Sequence, residues 1–169
     1  MATTLKTTVT ARIEGQFKNL LDLSTPVDAF TVSAAIQLAN GVGAAQADLL
    51  FHDQRTLAAS GTEDLDLAGS LSSPYGATLT FVELRAILFK AAATNTNNVR
   101  VTRPAANGVP LFLAASDGID VPPGGVFMWS CPADGKVTVT AATGDLITVT
   151  NSSSGTSVTY DVVIIGTSA

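Results

Sequence analysis

The chain has 169 residues, 46% of them apolar and only 14% charged, with a formal net charge of −5 at pH 7; a typical soluble domain is about one quarter charged. Its nine Lys and Arg are scattered from Lys6 to Lys136 with no basic run. That excludes the clustered cations that direct nucleic-acid binding and a polybasic membrane anchor both require.

The length favours one well-filled domain, residues 1–169, with residues 1–29 assigned to an N-terminal arm or extension. So little charge over so large an apolar inventory predicts that other copies, or another protein, cover part of the surface. The N-terminal stretch MATTLKTTVTARIEG lacks the apolar core of a signal peptide. Nor does any segment reach the roughly 18 uninterrupted apolar residues of a membrane helix. The expectation is a chain made and assembled in a cytoplasm. Its single cysteine, Cys131, cannot close an internal disulfide.

In chain order, strict apolar–polar alternation first marks Thr7-Val9-Ala11-Ile13 and then Phe30-Val32-Ala34-Ile36-Leu38, which predicts two half-buried strands. Between them FKNLLDLSTPVDAF has room for one helical turn, but Ser24-Thr25-Pro26 stops it. Turn chemistry at Asn40-Gly41 and Gly43 precedes the apolar Leu49-Leu50-Phe51. From Ala77, ATLTFVELRAILFKAA reads as a long strand, bulged or regular, ended by the turn-rich TNTNN. Short strands follow in NVRVTRP, VPLFLA, GVFMWSC, KVTVTAA, DLITVTN and SVTYDVVIIG, separated by Gly-, Asn-, Asp- and Pro-rich turns. This spacing predicts an all-β fold, an antiparallel β-sandwich or jelly-roll-like architecture with little helix. Asp134-Gly135 is a strong hairpin signal, predicting that 126–130 pairs with 136–140. On the first of these strands Phe127, Trp129 and Cys131 share one face.

A catalytic thiol needs a base, and the only histidine is His52, in FHDQR. Nothing recommends that pairing, and Cys131 is expected to be a buried, inert residue beside Trp129. A lone histidine cannot supply the ligands zinc takes, so His52 is expected as a hydrogen-bonded loop or strand-end residue. The carboxylates of GTEDLDLAG (Glu63, Asp64, Asp66) and SDGID (Asp117, Asp120) match no calcium loop and read as turn caps. GVGAAQ lacks the P-loop lysine. No cofactor, metal site or catalytic residue is expected, and the chain reads as a non-enzyme.

From GVGAAQADLLFHDQRTLAASGTEDLDLAGSLSSPYGATLTF onward the chain resembles small virion structural proteins of tailed bacteriophages. The residues that carry this are the Gly-rich turn into an alanine–aspartate element (Gly41 to Asp48), Arg55 to Leu57, Asp66 to Gly69, and the Tyr-Gly step into a strand (Tyr75 to Phe81). Further along they are the PPGG turn before an aromatic strand (Pro122 to Trp129), Gly144 to Val149, and the closing Tyr160 to Gly166. The resemblance spans about residues 30 to 166 and implies a capsid decoration or cement protein. Such a protein would be a trimer held by repeated contacts with itself and with the major capsid protein or other virion proteins. The alternatives are a tail, collar or adaptor component of the same particle and, from another class, a carbohydrate-binding β-sandwich. Phe127, Trp129 and Tyr75 are the candidate assembly or core aromatics. Phe127 and Trp129 would pack in the sandwich core or on a neighbouring subunit, and Trp129, Tyr75 or Tyr160 would stack on a sugar in the third reading.

Overall fold

The computed structural model describes residues 4–169. Eleven strands and no helix occur among them: β1 (Thr7–Lys18), β2 (Val27–Asn40), β3 (Gln46–Ala47), β4 (Leu49–Leu57), β5 (Thr62–Asp66), β6 (Glu83–Ala91), β7 (Val99–Thr102), β8 (Gly118–Val121), β9 (Val126–Ser130), β10 (Leu146–Asn151) and β11 (Val158–Thr167). Two four-stranded antiparallel sheets, ordered β5-β10-β7-β8 and β4-β11-β6-β9, make an all-β sandwich. From β4 to β11 the chain crosses between them at every connection except β7 to β8.

Alternation builds the core, because successive side chains on a strand point to opposite faces. From the first sheet Leu65, Val99, Val101, Val121, Ile147 and Val149 point inward, and from the second Phe51, Ile87, Phe89, Tyr160, Val162 and Ile164 meet them. Phe89 and Tyr160 lie with ring centroids 6.0 Å apart. The PPGG turn aims β8 into β9: the Gly125 amide donates to the Pro122 carbonyl at 2.8 Å, and Gly124 takes φ +75°, the third position of a type II turn that glycine favours. Two buried or half-buried asparagines replace strand pairing at one end. Asn95 donates to the Thr159 carbonyl and accepts from its amide, both at 2.9 Å. Asn151 donates to the carbonyls of Ala58 and Thr156.

Three sequence expectations are corrected. VPLFLA and KVTVTAA are not strands: Pro110 cannot donate to a ladder, and Lys136 to Thr140 makes only isolated bridges, Thr138 to Glu83 and Thr140 to Gly144. β9 does not form a hairpin across Asp134-Gly135. It pairs with β6 from Val126↔Lys90 to Ser130↔Ala86, and the chain returns to the same edge of β6 at Val137 and Val139. The turn is therefore an excursion from one sheet edge. The third correction concerns β1 and β2: they pair over twelve consecutive positions, Thr7↔Leu38 to Lys18↔Val27, but most of their residues are exposed where half-burial was expected.

Candidate functional site: an amphipathic hairpin arm

The β1–β2 hairpin, with the two-residue β3 beside its root, is a third sheet separate from the sandwich. Residues directly opposite across an antiparallel pair share a face. One face therefore carries Thr7/Leu38, Val9/Ile36, Ala11/Ala34, Ile13/Val32, Gly15/Phe30 and Phe17/Asp28, and the other Thr8/Gln37, Thr10/Ala35, Arg12/Ser33, Glu14/Thr31, Gln16/Ala29 and Lys18/Val27. The first is an almost continuous apolar ladder and the second is largely polar, with an Arg12–Glu14 ion pair.

At the root the apolar face is covered. Leu38 and Ala47 are buried with Ala86 and Ile165 of the β4-β11-β6-β9 sheet, and Val9, Ile36 and Leu50 pack around them. Beyond the root nothing covers it: Ile13 is 70% exposed, Val32 68%, Phe17 74% and Phe30 49%. The connecting loop adds the exposed Leu20, Leu21 and Leu23.

Arg85 fixes the root. It is the extra residue of a β-bulge, since Ile165 pairs with Ala86 while Gly166 pairs with Leu84. A bulge re-aims the side chain it displaces, and here the guanidinium, fully buried, turns toward the arm's base. It donates to the carbonyls of Gln46 (3.1 Å), Gly43 (3.3 Å) and Ala133 (3.0 Å) and pairs with Asp134. Glu83 Oε2 lies 2.6 Å from Nη1, off the line of a hydrogen bond, so that contact is ionic. The Ala45 amide adds a bond to the Pro132 carbonyl at 2.7 Å. Loop 41–46, bulge and loop 131–135 form one rigid joint.

A second polar cluster lies in the sandwich. The Tyr160 hydroxyl donates to Glu63 Oε1 at 2.7 Å, and Arg55 pairs with Glu63 and lies 3.3 Å from Asp53. Burial, the Glu63 hydrogen bond and the Glu63 charge hold the phenol well above its ordinary range. Burial alone would lower the Arg55 pKa, but the hydrogen bond and charge of Glu63 outweigh it and raise it. Tyr160, Glu63 and Arg55 pair with one another across β4, β5 and β11, so the cluster ties two sheets, with Arg55 Nε left in ionic contact with Asp53 but without a hydrogen bond.

The residues singled out from sequence are dispersed. Phe127 and Trp129 lie on the inner face of β9, half-buried against the core, with Phe127 stacked on Phe112 at 5.9 Å between centroids. Tyr75 is 86% exposed on the turn after Pro74, far in sequence and in surroundings from both. Cys131, expected buried, is half-buried just past the end of β9. His52, expected at a loop or strand end, is mid-strand and exposed, opposite Val163 on the outer face of β4.

Each acidic candidate has a protein partner: Glu63 the pair just described, Asp64 the Thr148 hydroxyl, Asp66 the Ala68 amide, Asp117 the Ala114 amide and Asp120 a two-pronged pair with Arg100. Among the described residues no three His, Cys, Asp or Glu gather as a metal site. Sequence reading placed an arm or extension over residues 1–29 and read β2 as a half-buried strand, so it missed a hairpin that runs to Asn40 with its apolar face exposed. Its signal was present in the alternation of β1 and β2, but alternation reports one apolar face and not what covers it. No family model, curated protein or solved structure matches the chain.

Proposed function

We propose that the protein is a structural component of a tailed-bacteriophage virion, and specifically a trimeric decoration protein that stabilises the capsid by repeated contacts across capsomer seams. The observation that carries this reading is the arm: a rigidly rooted hairpin whose apolar face stands in solvent. Monomers rarely expose a contiguous apolar patch beyond a few hundred Å² unless a partner covers it. The low charge and the sequence resemblance supply the kind of partner, a shell of repeated subunits in which many weak contacts add. The chemistry is mechanical, burial of apolar surface against internal pressure. Of the three aromatic candidates for a sugar platform, Trp129 packs against the core and Tyr160 is buried, which leaves Tyr75 alone.

Cryo-electron microscopy of particles, with counting of copies, tests the reading. Hundreds of copies over the head, and particles that burst at lower temperature or milder osmotic shock without the protein, support decoration. Tens of copies or fewer at a vertex or along the tail would replace it with the adaptor or tail reading.

A further inference from the structure

The outer face of the β4-β11-β6-β9 sheet is organised in rows by the strand register. One row is Ser130, Ala86, Ile165 and Leu50, and the arm's root lies on it. The next row, two residues along each strand and so roughly 7 Å away, is Met128, Leu88, Val163 and His52. Three of those four are apolar, and the arm leaves them only half-buried. Between this row and Thr7–Thr10 of β1 runs an open groove of about 310 Å³ lined mainly by apolar side chains. The row after that turns polar with the Lys90–Asp161 ion pair at 3.6 Å.

One chain thus presents an apolar hairpin face without a sheet beneath it and an apolar sheet row that its own arm covers only at one border, where Val163 packs against the root. The two have already met at the root, where the same hairpin face packs on the same sheet. We propose that the distal apolar face of the arm, Ile13, Phe17, Phe30 and Val32, docks on the Met128–Leu88–Val163 row of a second copy of this chain.

Three considerations favour a second copy as occupant. The contact continues an interface the chain already makes with itself, with the same chemistry and the same layering of strand pair on sheet. The groove and the arm's exposed face are different surfaces of one molecule, so the contact closes either as a reciprocal arm exchange about a two-fold axis or head-to-tail in a ring of few subunits. The area is also adequate. Covering four side chains that include two phenylalanines removes on the order of 500 Å² from water, and the leucines of the tip bring the arm's contribution toward the roughly 800 Å² per partner of a standard stable interface.

The inference rests on reading the arm as an assembly element but not on where any assembly sits, so it is tested with free protein. Light scattering on the full chain should give a whole-number multiple of the 17.2 kDa protomer. The double variant Phe17→Ser/Phe30→Ser should fall to one protomer mass with an unchanged far-ultraviolet circular dichroism spectrum, because neither ring is part of the sandwich core, and should lose the rise of thermal midpoint with protein concentration that association gives the wild type. In a Cys131→Ser background, Ile13→Cys and Leu88→Cys proteins mixed under mild oxidation should give a mixed disulfide dimer, with Met128→Cys replacing Leu88→Cys if the latter does not fold.

A wild-type chain that stays at one protomer mass at all concentrations overturns the inference. So does Ile13→Cys linking to itself as readily as to Leu88→Cys, which would mean arm against arm. A monomeric chain that enters particles only with its arm intact overturns docking on a second copy and leaves the assembly reading standing. An arm-dependent oligomer absent from particles supports the docking and removes the virion reading.

Discussion

Tyr160 illustrates how a single side chain fixes this sandwich and how little of that is visible locally. Its partner Glu63 is 97 residues away, and in the sequence Glu63 reads as one carboxylate of an acidic turn. Only the fold brings β5 beside β11's inner face, so no spacing could have revealed the pair. The phenol's folded pKa is raised above its ordinary value of 10.0. A raised value means that the stabilisation is complete below pH 10 and is lost as pH climbs above it, because the unfolded chain ionises first. Tyr160→Phe should therefore cost about 1 kcal/mol at neutral pH, the net worth of one hydrogen bond, and should flatten the loss of stability above pH 10. Urea titrations at pH 7 and at several alkaline values measure both effects. Asp120 has the opposite sign. The two-pronged Arg100 contact is the larger influence and lowers its pKa below the ordinary 3.8. Its contribution is present above that pH and disappears as pH falls through the lower folded value. The pair is largely exposed, so Asp120→Asn should cost no more than about 1 kcal/mol at pH 7 and nothing in strong acid.

Strands were legible where alternation and flanking turns agreed, as in β7, β9, β10 and β11; of the long strand expected from Ala77 only Glu83–Ala91 forms, as β6, and residues 77–82 show no strand pairing beyond the bridge Thr78 to Ser72. Strands were illegible where partners from elsewhere made them. GIDV became β8 because Arg100 of β7 pairs with Asp120 across the register, and TEDLD became β5 because Arg55, Tyr160 and Thr148 take up its carboxylates. The bulge was not predictable as a joint either, since a buried arginine is a rare choice that only the acceptors from Gln46, Gly43, Ala133 and Asp134 explain. Arg85→Met leaves several buried carbonyls and a mostly buried Glu83 without a counter-charge, and should cost about 3–5 kcal/mol. Arg85→Lys should not rescue it, because an ammonium cannot reach both loops with one planar fork. Opposite the bulge, a Cβ on Gly166 would strike the Glu83 carbonyl and come within 2.8 Å of Phe81 Cδ1. Gly166→Ala should therefore cost up to about 3 kcal/mol by overpacking, read as a lower midpoint in thermal unfolding. At protein concentrations low enough to dissociate any oligomer, changes at the arm tip should leave that midpoint where it is, since the distal hairpin adds nothing to the sandwich core.

At the scale of the whole molecule, composition predicted a covered surface, and the arm locates the surface that needs cover. What sequence could not supply was the division of labour along one amphipathic ladder: Leu38 and Ile36 belong to the root, Val32 and Phe30 to solvent, and nothing in the alternation distinguishes them. The distinction comes from where the sandwich ends beneath the hairpin. Because the exposed face is apolar, and the arm's one internal ion pair, Arg12–Glu14, lies on the opposite face, charge screening has little to act on. Surface ion pairs weaken over a Debye length that shrinks from about 10 Å at 0.1 M salt to about 3 Å at 1 M, whereas apolar burial is strengthened by sulfate and weakened by cooling. Association through the arm should accordingly survive 1 M sodium chloride, tighten in ammonium sulfate, and loosen between 25 °C and 4 °C with a negative heat-capacity change. Sedimentation velocity across those conditions is the measurement. An assembly that dissolved with sodium chloride would instead be held by the few charges of the sandwich surface, and the apolar arm would not be what joins the subunits.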